Sequence, residues 1–189
     1  MTTEPIRDGK KLSELAQYWL KKGNPRNYAL IVLGVCTALR IGDLLRLTWD
    51  DVYDFERGEF RPHITITERK TNKTKTIALN PKAVKALRLC LSERRGEYIF
   101  ASNREGAAPI SRVQEWRVIK EAATALKMAG CIACHSLRKT AGYHWWKSGV
   151  SPVVLMDIYN HSSYEVTRRY LGLTQDDIDE AYLNPAFAF

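Results

Sequence analysis

Residues 29–39 read Ala-Leu-Ile-Val-Leu-Gly-Val-Cys-Thr-Ala-Leu, an eleven-residue run without a charge. A bilayer-spanning helix needs about 20 apolar residues. The shorter run therefore predicts a helix over roughly 27–38 that is buried all round, at the centre of a soluble core. On its upstream side, Gly23-Asn24-Pro25 interrupts the chain. Before that break, Leu12, Leu15, Trp19 and Leu20 fall near one face of an amphipathic helix over 12–22. Residues 1–10 are polar and are expected to be loose. Downstream, a short helix over 41–47 follows.

The periodicity then changes. Ile64, Ile66 and Glu68 alternate with Thr65, Thr67 and Arg69, and Thr76-Ile77-Ala78-Leu79 forms a returning limb. A period of two predicts a small antiparallel hairpin within 51–80, turned with the help of Asn72. Asn80-Pro81 opens a helix to about 94, as an N-cap followed by proline at the first helical position. Ser111 and Gln114 have the spacing of a capping box for a helix to about 128. Gly149 is expected to end one helix and Ser151-Pro152 to start another. A turn at 160–162 leads into a helix carrying Tyr164 to Tyr170, and Thr174 with Asp177 suggests a last capped helix. The fold class is mainly α with a small antiparallel β-sheet. The sequence has no internal repeat and no low-complexity segment.

Lysine and arginine number 29 against 21 acidic residues, a formal net charge of +8. That excess favours a polyanionic partner, nucleic acid or an acidic membrane surface. The first residues, MTTEPIRDGKK, carry no apolar signal region, which with the short apolar runs points to a soluble intracellular protein. Cys36 and Cys90 sit in apolar helical patterns and read as small core residues. Cys131-x-x-Cys134 followed by His135 has the look of half a metal site, but no second cysteine pair completes it. Packing is the favoured reading; a metal or redox dithiol is the alternative.

Basic and hydroxyl side chains gather at the segment junctions. Taken singly, Arg40, Arg46 and Arg138 suit surface ion pairs, His135 and His161 suit caps or core positions, Tyr170 suits half-buried packing, and Lys70 to Lys75 suits a solvated hairpin tip. Their order says more. Thr37-Ala-Leu-Arg-Ile-Gly-Asp-Leu44 places an acid three residues after Arg40. Glu68-Arg-Lys-Thr-Asn-Lys-Thr-Lys-Thr-Ile-Ala-Leu79 is a basic hairpin. His135-Ser-Leu-Arg-Lys-Thr140 is an H-x-x-R box. Asn160-His-Ser-Ser163 precedes Thr167-Arg-Arg-Tyr170, with the tyrosine nine residues after His161. This ordered set, over about residues 26–173, resembles the tyrosine recombinase, or phage integrase, family.

The resemblance implies that family's catalytic-domain fold over 11–173, a flexible segment over 1–10 and a C-terminal helix with an apolar tail over 174–189. It makes Arg40, Lys70, His135, Arg138, His161 and Tyr170 the catalytic set, with Lys73 the second choice for the lysine. Asp43 is expected to support Arg40 or a neighbouring basic residue. Arg69, Lys73, Lys75 and Lys139 are expected to contact DNA. Asn160 stands where the family usually has glycine; asparagine also tolerates a left-handed backbone.

The implied chemistry joins these residue types. Two arginine forks hold the oxygens of a phosphodiester whose transition state gains negative charge, and His161 donates to the same phosphate. Tyr170, a phenol of a type that ordinarily loses its proton near about pH 10, attacks with help from His135, and Lys70 protonates the departing 5′ oxygen. The result is a 3′-phosphotyrosyl intermediate, with no metal, ATP or other cofactor called for.

The family further implies double-stranded DNA as partner, four protomers on two DNA sites, accessory DNA-bending or directionality proteins, and a cytoplasmic, nucleoid-associated, bacterial or phage-encoded protein away from membranes. The tail residues Ala186, Phe187, Ala188 and Phe189 pack either on their own domain or on a neighbour. A topoisomerase-like or resolvase-like enzyme and a non-catalytic DNA-binding regulator remain the rival readings.

Overall fold

The computed structural model describes residues 3–103 and 108–183. At its centre lies α2 (Pro25–Thr37), in which Ala29, Leu30 and Leu33 have no solvent exposure. Each such leucine contributes about 1.5–3 kcal/mol by leaving water. Asn24 caps this helix by accepting from the Asn27 amide at 3.0 Å, with Pro25 at the first position. Around α2 pack α1 (Gly9–Lys21), α5 (Pro81–Leu91) and α7 (Cys134–Lys147). The long helix α6 (Arg112–Ala125) carries the Ser111–Gln114 capping box expected of it and packs on α1 and α7. Among the described residues no helix is long and apolar enough to cross a membrane.

Several boundaries differ from the sequence reading for local reasons. Helix α1 begins at Gly9 because Asp8 accepts from the Lys10 and Lys11 amides. The expected helix over 41–47 shrinks to one turn, α3 (Ile41–Leu44). A second one-turn helix, α4 (Trp49–Val52), is closed by a Thr48–Asp51 capping box. The expected sheet is two separate antiparallel pairs. The unexpected one joins β1 (Tyr53–Asp54) to β2 (Glu59–Phe60); the other joins β3 (His63–Thr67) to β4 (Thr74–Ala78). In the second pair Ile64 faces Ile77 and Ile66 faces Lys75. The alternate face carries threonines, with hydroxyls of Thr67 and Thr74 2.9 Å apart. Asn72, at φ 52°, occupies the turn.

Three more helices complete the described chain: α8 (Pro152–Tyr159), α9 (Tyr164–Leu171) and α10 (Gln175–Leu183). Ala38, Ala141, Leu155, Tyr159 and Leu171 form a second, smaller core beneath α9. Gly142 lets α7 and α8 close together, because a Cβ there would collide with the Tyr159 phenol. Asp177 ties α10 to α7 through Lys147 at 3.1 Å and to Arg7 at 3.5 Å. The tail residues 186–189, whose packing the sequence leaves open, lie outside the described residues.

The stretch expected to be loose is anchored at residues 3, 4 and 6, with Glu4, Arg7 and Asp8 exposed. Ile6 is buried, its amide donates to Thr140 Oγ1 at 2.9 Å, and its carbonyl meets the His144 ring at 3.0 Å. The Glu4 amide donates to the Cys131 carbonyl, and Lys139 Nζ donates to the Thr3 carbonyl at 2.7 Å. One apolar residue in a polar stretch docks the segment on α7, and backbone groups complete the seam.

Glu115 is fully buried on α6, where its Oε2 accepts from the Cys134 thiol and its Oε1 has no hydrogen-bond partner among the described residues. Burial pushes its carboxyl up to about 7, against the pull of the thiol hydrogen bond. Burial, followed by the Glu115 contact, pushes Cys134 up to about 12. The raised carboxyl favours the folded state below its unfolded value near 4.5, and that contribution is lost as pH rises through about 7. Glu115→Gln removes the titration. Relative to the parent, the variant should gain roughly 1–3 kcal/mol between pH 5 and pH 8, read by urea unfolding at both values. A pH-independent difference would place the carboxyl in contact with water.

Candidate active site

The site is built around the C-terminal end of α8. The last carbonyls of a helix have no partner in a following turn and carry its partial negative charge. Here Asn160 bends the chain away at φ 53°, leaving the carbonyls of Ile158 and Tyr159 open to side chains. Three cations converge on them. Arg138 Nη2 donates to the Tyr159 carbonyl at 3.1 Å, Arg40 Nη2 reaches the same oxygen at 3.5 Å, and Lys75 Nζ donates to the Ile158 carbonyl at 3.0 Å.

The two arginines come from different layers. Arg138 projects from α7, is almost completely buried, and stacks its guanidinium 4.6 Å from the Tyr159 ring centroid. Its Nη1 donates to the Ala38 carbonyl, which a left-handed backbone at Ala38 (φ 49°) turns inward. A left-handed alanine costs about 1–2 kcal/mol; it lies in the sharp turn between α2 and Arg40. Arg40 occupies the extended residue just before α3 and keeps part of its side chain in solvent.

Glu68 supplies the counter-charge. It has no solvent exposure, yet its Oε2 lies 2.7 Å from Arg40 Nη1 and accepts from Asn160 Nδ2 at 2.7 Å and Thr71 Oγ1 at 2.9 Å. Its Oε1 lies 3.3 Å from Lys75 Nζ. Burial alone would raise this carboxyl, but Arg40, Asn160, Lys75 and Thr71 together bring it down to about 2. Burial lowers Lys75, with the Glu68 charge opposing.

On the open side stands the tyrosine. Tyr170 projects from α9, and its hydroxyl is hydrogen-bonded to His135 Nε2 at the start of α7. The Tyr170 ring meets the His161 ring edge-on at 4.7 Å and lies 5.9 Å from the Arg138 guanidinium. His161 Nδ1 contacts the buried Thr167 Oγ1 at 3.0 Å. Burial, then the charges of Arg138 and Arg40, push His161 down to about 4. Burial followed by Arg138, Lys139, Arg40 and Lys70 lowers His135. Both rings are therefore held toward their neutral forms.

Of the residues singled out in the sequence, the fold brings Arg40, His135, Arg138, His161 and Tyr170 into one cluster within a single chain. Lys70 is exposed on the hairpin turn, close enough for its charge to act on His135. Arg69 and Lys73 are exposed beside it. Two expected DNA contacts face inward instead: Lys139 is buried against Thr3, and Lys75 shares the inward face of β4 with Ile77. Asp43 does not pair with Arg40. Its Oδ1 accepts from the Arg69 amide at 3.1 Å. Side chains three apart meet when both are helical, and Arg40 is extended. Glu68, which takes the expected place beside Arg40, is the site residue that the sequence motifs miss. Its signal is its parity: it follows Ile64 and Ile66 on the inward face.

The chain is similar to known proteins in sequence and in fold. Residues 8–176 match the phage integrase family. The chain is 38% identical over 180 residues to a probable integrase/recombinase, YoeC, of Bacillus subtilis, covering 95% of this chain and 94% of that protein. It is 26% identical over 164 residues to the tyrosine recombinase XerD of Corynebacterium glutamicum, covering 83% of this chain and 51% of that protein. The chain thus spans about half the length of the XerD relative. In fold it is similar to XerA recombinase, with a TM-score of 0.77 and 22% identity over all of this chain and 68% of that one. It is also similar to XerH recombinase bound to its difH substrate after cleavage, with a TM-score of 0.76 and 18% identity over 96% of this chain and 53% of that one. With the match running through every element that carries the cluster, the chain belongs to the phage integrase family and is a tyrosine recombinase.

Proposed function

We propose that this chain breaks and rejoins duplex DNA at specific sites through a covalent 3′-phosphotyrosyl intermediate on Tyr170. The observation that carries the reading is the Tyr170 hydroxyl, hydrogen-bonded to His135 and set against Arg138 within the same chain. The nucleophile therefore acts on the phosphate held by its own arginines. XerH, similar in fold, is bound to a DNA substrate, and a net charge of +8 with exposed Arg69, Lys70 and Lys73 suits the same partner. Four such protomers on two duplexes would complete an exchange.

In the reaction the scissile phosphate lies across the open side of Arg40 and Arg138. Their guanidinium groups are already fixed by the α8 carbonyls, so little reorganisation accompanies the developing charge. Neutral His161, with Thr167 donating to Nδ1, offers its Nε2 proton to a phosphate oxygen. Neutral His135 accepts the Tyr170 proton as the phenolic oxygen bonds to phosphorus. The bond from phosphorus to the 5′ oxygen breaks, and Lys70 gives that oxygen a proton. The phosphoester energy is retained in the tyrosyl link, and attack by a 5′ hydroxyl reverses the steps. Religation thus consumes no nucleotide.

The deciding experiment uses a nicked duplex that the protein itself selects from a randomised pool. Denaturing gels should show a covalent adduct, mapped by mass spectrometry to Tyr170. Tyr170→Phe should abolish the adduct, with DNA affinity within about twofold of the parent because only the attacking oxygen is lost. An adduct on Tyr164 overturns the assignment.

The pH profile has a definite sign. His135 works as the neutral base, and burial with the charges of Arg138, Lys139, Arg40 and Lys70 lowers its pKa from the ordinary histidine value. The single-turnover rate should therefore hold on descending from pH 8 to 6.5 and fall only below that. An acid limb centred above pH 7 would remove His135 from the role.

Lys70 is separated from its neighbours by the leaving group. With sulfur replacing the bridging 5′ oxygen, the thiolate departs without a proton. Lys70→Ala should be slowed about 10²–10⁴-fold on ordinary DNA and largely restored on the sulfur-bridged duplex. Rescue of Lys73→Ala or Lys75→Ala instead would move the acid to that residue.

A further inference from the structure

Glu68 directly follows strand β3 and closes the hairpin with its own backbone: its amide donates to the Lys73 carbonyl at 3.0 Å, and its carbonyl accepts from the Asn72 amide at 2.8 Å. The exposed turn between, which carries Lys70, therefore has its base at Glu68. The side chain of the same residue reaches three other parts of the site. It pairs with Arg40 between α2 and α3, with Lys75 on β4, and with Asn160 in the turn that presents His161. Asp43 adds a second peg by accepting from the Arg69 amide.

Asn160 makes the connection through its side chain. Its backbone is left-handed, at φ 53°, so a glycine would serve the turn as well or better. The asparagine side chain instead donates to a carboxylate 92 residues away in sequence.

Building on the recombinase reading, we infer that Glu68 is a positioning residue for the cleavage reaction. It locks the base of the lysine-bearing hairpin to Arg40 and, through Asn160, to the turn that carries His161, so that the leaving-group acid and the phosphate-binding groups are set by one carboxylate. Two features support the inference. The residue is fully buried beneath the cluster, where it cannot touch DNA, so its effect passes through its partners. It also places negative charge among Arg40, Lys75 and Arg138, which lets three cations crowd together before any phosphate arrives.

The test has two arms. The first is hydrogen–deuterium exchange on the unbound protein, which needs no substrate. Asn160→Gly removes the donor and relieves the turn, so the fold is kept. Amide exchange across 69–73 should nevertheless rise by about tenfold, the loss of one charge-assisted hydrogen bond. Unchanged exchange in the hairpin overturns the linkage. The second arm is single-turnover cleavage at saturating protein by Glu68→Gln, which keeps size and removes charge. The variant should be at least about tenfold slow on ordinary DNA, and the deficit should shrink on the sulfur-bridged duplex, where a misplaced Lys70 no longer matters. An equal deficit on both duplexes limits Glu68 to a structural role and overturns the inference. If the parent protein forms no adduct with any selected duplex, the recombinase reading fails, and the exchange arm alone decides the linkage.

Discussion

Arg40 and Arg138 both bond to the carbonyl of Tyr159, and that shared acceptor sets the geometry of everything around it. Two guanidinium groups and the ammonium of Lys75 repel one another strongly when partly removed from water. The end of α8 offsets this with exposed carbonyls and the helix's partial negative charge, and Glu68 adds a full one. Each piece is needed for the others. Without the bend at Asn160, α8 would continue and close off its own carbonyls. Without Gly142, Tyr159 could not lie against α7 where Arg138 emerges. Without the left-handed turn at Ala38, Arg138 would lose a second acceptor and Arg40 its direction of exit.

The same electrostatics prepare the two histidines. A histidine close to several cations and partly buried resists taking up a further proton. His135, which is hydrogen-bonded to the Tyr170 hydroxyl, and His161 are thereby both held toward their neutral forms. The cluster is a preorganised anion site. The one component left outside is Lys70, which lies on an exposed turn whose base is clamped.

The amino-terminal residues bear on the same layer. The segment over 3–8 lies along α7, the helix that supplies both His135 and Arg138, and its bonds to Thr140, Lys139 and His144 brace that helix from outside. Lys139, adjacent to Arg138, is taken up by this seam. A cationic residue next to a catalytic one thus has a structural use, and its charge still helps to keep His135 neutral.

From the sequence alone, the uninterrupted apolar run at 29–39 defined the central helix, because only burial on all sides suits such a run. The N-caps at Asn80 and Ser111 were legible because capping is a short-range interaction between residues three apart. The order of the arginine, H-x-x-R and terminal tyrosine boxes identified the family. Tertiary structure decided what distant residues do to one another. Glu68 and Lys75 carry the parity of the inward face, but whether an inward charge is paired depends on a helix end some 80–90 residues later. The family pattern sets Asp43 to support Arg40 or a neighbouring basic residue, and the extended backbone at Arg40 leaves Asp43 to accept from the Arg69 amide. The docking of Ile6 depends on Thr140, 134 residues away, and no local pattern records such a contact. Local propensity is written in adjacent residues; the pairing of buried charges is settled only when the chain has folded around them.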